Sequence, residues 1–364
     1  MGERDGRSTL SLDGTLVEVA DGQTILLVAE QNGVYIPTLC HDPRLAPAGA
    51  CRTCLVEVEG QRRLVPACAT SARPKMVVRT TNERVRRHQA ALLGLYLTDH
   101  PEPTGTDVEN EVHLMAERVN APVDWPHMAH RRAHRDDDRN RWIQFRPDRC
   151  ILCARCTRYC DEVEGVSAIS LTGRGVETTI STMDQVSLVD SSCELCGGCI
   201  AVCPTGAMTE KQPLVERAKP EKELTKVRTT CNYCGVGCQM DLNVDSGGND
   251  GRGKVVKVTS PPPGTLPNDG NLCVKGRFAY TFIDHEERLK TPWVRGDDGE
   301  LRAASWDEAL RRASEGLLGV KQRYGADALG FVSSSRCTME ENYLVQKLAR
   351  AAFGTNNCHQ CAAT

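Results

Sequence analysis

Sixteen of the nineteen cysteines in this 364-residue sequence fall into repeating or tightly spaced sets. Cys40, Cys51, Cys54 and Cys68 follow C-x10-C-x2-C-x13-C. Cys150, Cys153, Cys156 and Cys160 follow C-x2-C-x2-C-x3-C, and Cys193, Cys196, Cys199 and Cys203 repeat that spacing, with Pro204 after the last. Cys231, Cys234, Cys238 and Cys273 follow C-x2-C-x3-C-x34-C. A C-x2-C pair grips one metal centre with two soft thiolates, and more distant cysteines close the site. For the first set this chemistry leaves two answers open, a [2Fe–2S] cluster or a structural zinc. In the last set the x3 gap and the lone distant cysteine weigh against a zinc ribbon. Disulfides are the poorer explanation. The start, MGERDGRSTLSLDG, has no apolar signal core, and the Arg-Arg pairs lie too deep for a twin-arginine signal, so the sequence reads as cytoplasmic, where thiols stay reduced.

The elements that must position these cysteines can be read coarsely. Thr15–Val19 alternates as a strand, Thr24–Glu30 reads as a short helix, and Leu55–Val58 and Met76–Val78 as further strands. Residues 82–97 read as a helix with Val85, Leu92, Leu93 and Tyr96 on one face. Residues 99–141 read as polar and irregular, with His127–Arg141 as a solvated, charge-dense loop. Residues 211–228 read as a linker. Helical patterns are expected at 305–324 and 339–353, with a strand Ala328–Val332 between them. Thr338 and Glu341 are spaced as a capping box, Leu344, Leu348, Ala351 and Ala352 as a buried stripe, and Gly354 as the terminator. The expected domains are 8–80, 81–141, 142–210, 229–285 and 286–364. Lys plus Arg total 45 and Asp plus Glu 48, a net charge of −3, which argues against nucleic acid as the main partner. No apolar run is long enough to span a membrane.

Several stretches resemble known families. Pro37–His41 and Gly49–Cys54 resemble the [2Fe–2S] domain that opens the large peripheral subunit of respiratory complex I, iron-only hydrogenases and NAD-linked formate dehydrogenases. The paired runs have the spacing of bacterial two-cluster ferredoxins, in which the fourth cysteine of each run ligates the other cluster. That implies one [4Fe–4S] on Cys150, Cys153, Cys156 and Cys203, and another on Cys193, Cys196, Cys199 and Cys160. Asp161 stands where the first run would usually have Pro, which affects the turn. Thr230–Cys238 and Asn271–Arg277 resemble the [4Fe–4S] domain that opens molybdopterin oxidoreductases, where a lysine placed like Lys275 lies between cluster and pterin. That placement implies that Lys275 is part of the electron path; the lesser alternative is a solvated surface lysine. Arg336–Tyr343 and Gly354–Asn357 are similar to blocks of molybdenum/tungsten bis-pterin formate dehydrogenases.

The resemblance implies an α+β multidomain chain: a β-grasp [2Fe–2S] domain, a two-cluster ferredoxin-like domain, and the start of a molybdopterin oxidoreductase α/β domain. Its expected cofactors are one [2Fe–2S], three [4Fe–4S] and, in the full-length protein, a Mo- or W-bis-molybdopterin guanine dinucleotide. It implies formate as substrate, with a flavin/NAD-binding diaphorase-type subunit and a small iron–sulfur subunit as partners. Nothing in the sequence resembles a dinucleotide loop, and Gly247, Gly248, Gly251 and Gly253 make a weak phosphate-loop candidate. Relatives carry a further cluster in the pattern H-x3-C-x2-C-x5-C. Here His100 is followed by Thr104, Asp107 and His113, so that cluster is expected to be absent. Alignment of Gly354–Asn357 places the family's metal-ligating selenocysteine or cysteine one position after Thr364. The expectation is a protein continuing through a UGA codon, with the Mo/W ligand outside these residues. Cys337, Cys358 and Cys361 read as ordinary thiols. The rival reading is a complex I-like or hydrogenase-associated subunit that only carries electrons.

Overall fold

A computed structural model describes residues 8–102, 110–127, 138–211, 221–246 and 253–361. The elements are β1 (Thr9–Leu12), β2 (Thr15–Glu18), α1 (Ile25–Gln31), β3 (Leu55–Val58), β4 (Val65–Pro66), β5 (Val77–Arg79), α2 (Glu83–Leu97), α3 (Glu111–Val119), β6 (Ile143–Phe145), α4 (Arg155–Glu162), β7 (Ile169–Thr172), β8 (Thr179–Thr182), α5 (Gly198–Ala201) and β9 (Met208–Glu210). They continue with β10 (Thr225–Thr230), β11 (Gln239–Asp245), β12 (Lys254–Thr259), α6 (Val274–Phe278), β13 (Trp293–Arg295), β14 (Leu301–Ala303), α7 (Trp306–Tyr324), β15 (Phe331–Ser334), α8 (Met339–Lys347) and β16 (Cys358–Cys361). The chain divides into two compact units, Met1–Thr225 with Asp245–Arg252, and Lys226–Val244 with Gly253–Thr364.

The first unit opens with a mixed five-stranded sheet in the order β2-β1-β5-β3-β4. β1 pairs antiparallel with β2 and parallel with β5, and β3 pairs antiparallel with β5 and β4. Leu10, Leu12, Val56, Val58 and Val78 face the apolar side of α1 through Ile25, Leu26, Val28 and Ala29. Thr24 caps α1 by accepting the Leu27 N–H at 3.2 Å. A second apolar core joins α2 to α3 through Leu93, Leu97, Val112, Met115 and Ala116. In α2, Val85 and Leu93 are fully buried, while Leu92 and Tyr96 are half-buried.

α3 corrects the reading of 99–141 as irregular. Asn110 caps it, Val112, Met115 and Ala116 form an i, i+3, i+4 stripe, and Asn120 ends it in a left-handed turn. Thr104, Asp107 and most of the charged run lie outside the described residues, as do 212–220 and Gly247–Arg252. β6 pairs antiparallel with β9, and β7 with β8, closing the region that holds the repeated cysteine runs.

In the second unit β10, β11 and β12 form a three-stranded sheet, with β10 already under way at Thr225. β15 and β16 pair in parallel with α8 between them in sequence. Ser305 caps α7 and a full capping box opens α8, where Thr338 and Glu341 exchange bonds at 3.1 and 2.7 Å. The stripe expected to be buried is not. Leu344 is 58% and Leu348 47% exposed, and Ala351 and Ala352 are exposed as well. The buried residues are Ala349 and Phe353, because the turn after α8 lays Phe353 against Phe331 of β15, ring centroids 5.4 Å apart. Among the described residues no helix is long and apolar enough to cross a membrane.

Candidate metal centres

The first cysteine set straddles both cores of unit one. Cys54 and Cys68 belong to the sheet core, Cys40 and Cys51 to the α2–α3 core, and all four are buried. The Cys54 and Cys68 sulfurs lie 3.4 Å apart, and the Cys51 N–H donates to Cys40 Sγ at 3.4 Å. Arg52 takes the left-handed conformation between Cys51 and Cys54, tightening the loop so that both thiols face inward. The Cys51 thiol is pushed up, first by its bond with Cys40 and then by burial. At Cys68 the downward pull of the Cys40 bond is overcome by Cys54 and burial, and the thiol rises to about 11. Cys54, by contrast, is drawn down by its bond with Cys68, so the set holds thiols shifted in both directions, and a metal centre bound there would take the place of their protons.

The two repeated runs are interleaved in space. One cavity is lined by Cys150, Cys153, Cys156 and Cys203, and a second by Cys160, Cys193, Cys196 and Cys199. The backbone repeats along with the spacing. Leu152 and Ala154 are left-handed, and so are Leu195 and Gly197 at the same offsets in the second run. These turns point N–H groups at sulfur: Leu152 donates to Cys150 at 3.4 Å, Leu195 to Cys193 at 3.3 Å, and Gly198 to Cys196 at 3.4 Å. Each crossing cysteine has a donor too, Ala168 to Cys160 at 3.2 Å and Met208 to Cys203 at 3.4 Å. Burial, then the neighbouring Cys203 charge, pushes Cys153 up to about 12, and Cys156 is raised well above its ordinary value by the same causes. Four convergent sulfurs, donors aimed at them and apolar walls suit an iron–sulfur cluster in each cavity.

In the second unit Cys231 is buried, Cys234 and Cys238 are half-buried, and Cys273 is exposed as the residue before α6. The Cys231 N–H donates to the Cys238 carbonyl at 2.8 Å, closing the loop, with Gly237 left-handed inside it. Burial raises Cys231, while the Lys275 charge draws it down, so the structure brings Lys275 close to this set. Arg336 lies over the Tyr233 ring at 5.9 Å and so joins the same neighbourhood.

His100 is buried, bonded to Asn110 at 2.7 Å and 5.4 Å from the His113 ring, and His113 meets the Pro101 carbonyl at 3.2 Å. Cys337 is exposed, and Cys358 lies on β16 opposite Phe331. Among the described residues no three His, Cys, Asp or Glu side chains are gathered closely enough to hold a single metal ion, and the two repeated runs instead surround cavities. Sequence reasoning missed Arg155, buried between Cys153 and Cys156, because its partners Thr38 and Glu111 are remote in sequence.

Family models match four stretches. Residues 7–83 match the 2Fe-2S iron-sulfur cluster binding domain, and residues 141–209 the ferredoxin-like domain of NADH-quinone oxidoreductase subunit 3. Residues 224–285 match the molybdopterin oxidoreductase Fe4S4 domain, and 288–364 molybdopterin oxidoreductase. This chain carries iron–sulfur and molybdopterin oxidoreductase domains. It is 36% identical over 366 residues to the NADPH-Fe(3+) oxidoreductase subunit alpha of Geobacter sulfurreducens, covering 96% of this chain and 40% of that one. It is 36% identical to one subunit of an NADH-quinone oxidoreductase of Rhizobium meliloti (96% and 39% covered). It is 31% identical to a Staphylococcus haemolyticus protein whose name proposes a formate dehydrogenase (97% and 39%). The chain therefore spans about 40% of the length of these relatives. Among solved structures, a chain of NAD+-reducing [NiFe]-hydrogenase in the H2-reduced state aligns at TM-score 0.50 and 27% identity, over 59% of this chain and 91% of that one.

Proposed function

We propose that this chain is the iron–sulfur electron-transfer portion of a cytoplasmic, formate-oxidising molybdopterin oxidoreductase that passes electrons towards NAD through a flavin-binding partner subunit. The pair of cavities, each lined by three cysteines of one run and the fourth of the other, carries the electron-transfer reading. Clusters bound there and at the other two sets would take up and release electrons one at a time. The ligands in this reading are Cys40, Cys51, Cys54 and Cys68 for [2Fe–2S]. For three [4Fe–4S] they are Cys150, Cys153, Cys156 and Cys203; Cys193, Cys196, Cys199 and Cys160; and Cys231, Cys234, Cys238 and Cys273.

The chain's own residues then have defined tasks. Leu152, Leu195, Gly198, Ala168 and Met208 stabilise negative charge on sulfur through their N–H groups. Ile143, Ile169, Leu188 and Met208 keep water from the second cavity. Lys275, whose charge reaches Cys231, would supply positive charge beside a cluster on that set. Residues 288–361 do not by themselves enclose a pterin: α7 has no buried residue and exposes Trp306 and Leu310. In this reading a bis-pterin centre and its Mo or W ligand would be held by the full-length protein.

The formate reading is supported by the Arg336–Tyr343 and Gly354–Asn357 blocks and by the likeness to a relative whose name proposes a formate dehydrogenase. A second reading, an electron-carrying subunit without its own active site, is favoured by the alignment with the hydrogenase chain. The deciding experiment is anaerobic reduction of the purified full-length protein, followed by EPR and by Mo, W and Fe analysis. The proposal expects bound Mo or W and cluster signals that appear on adding formate. Full iron loading with no Mo or W and no response to formate would overturn it in favour of the carrier.

A further inference from the structure

We propose that Arg155 is a positioning residue that ties the [2Fe–2S] loop to the Cys150–Cys203 cavity and raises the reduction potential of the clusters on both sides. The inference rests on reading these two cysteine sets as cluster sites. Its physical basis is one planar fork that reaches three separate segments. Nη1 and Nη2 of Arg155 donate to the two Glu111 carboxylate oxygens at 3.0 and 3.1 Å. Nη2 also donates to the Thr38 carbonyl at 3.1 Å, and Nη1 to the Val202 carbonyl at 3.5 Å.

Thr38 lies two residues before Cys40, Val202 one before Cys203, and Arg155 itself between Cys153 and Cys156. The anion is anchored at the same place, since the Glu111 N–H donates to the Pro204 carbonyl at 2.7 Å. α4 carries the contact onward at i, i+3 and i+7. Arg158 donates to the Ala46 carbonyl at 2.7 Å and to the Cys40 carbonyl, and Glu162 accepts the Ala46 N–H at 2.7 Å. Cys40, Cys51 and Cys153 also share one apolar core. Arg155 is therefore a desolvated cation, 7% exposed, set between two cysteine sets that share one apolar core. Lysine could supply the charge there but not the bidentate fork.

Each cluster gains one negative charge when it takes up one electron, so a fixed cation in a dry setting favours the reduced form. Glu111 opposes that effect, but its side chain is 38% exposed and more strongly screened, against 8% for Arg155. The two members of the pair must then act with opposite signs, which a purely structural clamp would not do.

The test is EPR-monitored redox titration of full-length wild type, R155Q, R155K and E111Q. For R155Q the expected result is about a tenfold shift of both equilibria towards the oxidised form at fixed potential, which is about 59 mV for one electron. E111Q should shift both towards the reduced form by a smaller factor. R155K should stay near the wild-type potentials while losing spin–spin broadening between the two signals, because charge is kept and the clamp is lost. Unmoved midpoints in R155Q, or a shift of E111Q in the same direction as R155Q, would overturn the inference. If R155Q does not accumulate, E111Q decides: a shift towards the reduced form supports the proposal and an unmoved midpoint overturns it. Absence of both cluster signals from the wild type would overturn the cluster reading and this inference together, whereas intact signals with unmoved midpoints would overturn the inference alone.

Discussion

The two cysteine runs are the same in spacing and in their left-handed turns, yet they are embedded differently. At the fifth position after the first cysteine, one run has Arg155 and the other Gly198. Arg155 reaches outward to Glu111 and Thr38. Gly198 does the reverse and makes room, since a Cβ there would lie 1.9 Å from Cε1 of Tyr159. The helices differ as well. α4 continues through Cys160 and Asp161, where Asp161 accepts the Ser167 hydroxyl at 2.6 Å. α5 has only four residues, because Pro204 follows its crossing cysteine and cannot continue a helix. The first cavity is thereby coupled to the α2–α3 core through Ile151 and Cys153. The second shares Ile143, Ile169, Leu188 and Met208 with a neighbouring pocket, which the first also borders through Phe145, Ile180 and Met208. The two repeats thus differ in what they reach, the first Glu111 and Thr38 and the second the Tyr159 ring, through side chains between the cysteines and not through the cysteines themselves.

The largest expected effect breaks the crossing itself. C203A should abolish the cluster of the Cys150 run and spare that of the Cys193 run, and C160A should do the converse. Each variant should lose about four irons per chain, the content of one [4Fe–4S] cluster, with EPR identifying which signal disappears. If C203A instead removes the signal that C196A removes, the runs are not crossed.

Next comes the position where the two runs diverge. G198A should destabilise the protein by about 1–3 kcal/mol through overpacking, because Tyr159 is fully buried and its ring carries Arg44 at 5.1 Å. Chemical denaturation followed by tryptophan fluorescence and the cluster absorbance would register this. Y159F should not rescue the loss, since the ring edge and not the hydroxyl occupies the space; a rescue by Y159A that restored most of the midpoint would confirm the clash as the cause. An unchanged midpoint in G198A would mean that Tyr159 yields freely and that the packing difference between the runs carries little energy.

What the sequence makes legible follows from how local the physics is. Ligand chemistry dictates spacing, so the cysteine sets stand out in one dimension. Caps are local too, and Thr24, Ser305 and Thr338 all lie where the helices begin. α3 was readable in principle from Asn110, Val112, Met115 and Ala116, but a polar neighbourhood masks a stripe this short. The exposed face of α8 shows the opposite failure. Periodicity identifies which residues share a face, while only a tertiary partner decides whether that face is buried, and Phe331 selects Ala349 and Phe353. Least legible are the left-handed Leu152, Ala154 and Leu195, whose residue types give no hint of positive φ. Arg155 is equally hidden, because its partners Thr38 and Glu111 are remote in sequence.

The smallest expected effect lies beside the second cavity, where Asp138 ties the Ser187–Leu188 segment to its own loop. Its Oδ1 accepts the Ser187 hydroxyl at 2.7 Å and the Asn140 N–H at 2.8 Å, and its Oδ2 accepts the Leu188 N–H at 2.9 Å. Burial pushes this carboxyl up, but the bonds from Ser187, Asn140 and Leu188 outweigh it and hold Asp138 down at about 2, below the ordinary 3.8. A depressed folded-state value means that the stabilisation is fully present above pH 3.8 and is lost as pH falls through about 2. With solvent screening at this partly exposed site the contribution should not exceed about 1 kcal/mol. D138N should therefore lower stability by that amount at neutral pH and flatten the stability–pH curve of the acid limb, while the Arg155 side of the molecule is unaffected. Hydrogen exchange should locate the loosening at Ser187–Asp190. A D138N curve parallel to wild type between pH 4 and pH 2 would show that these bonds order the loop without contributing to its stability.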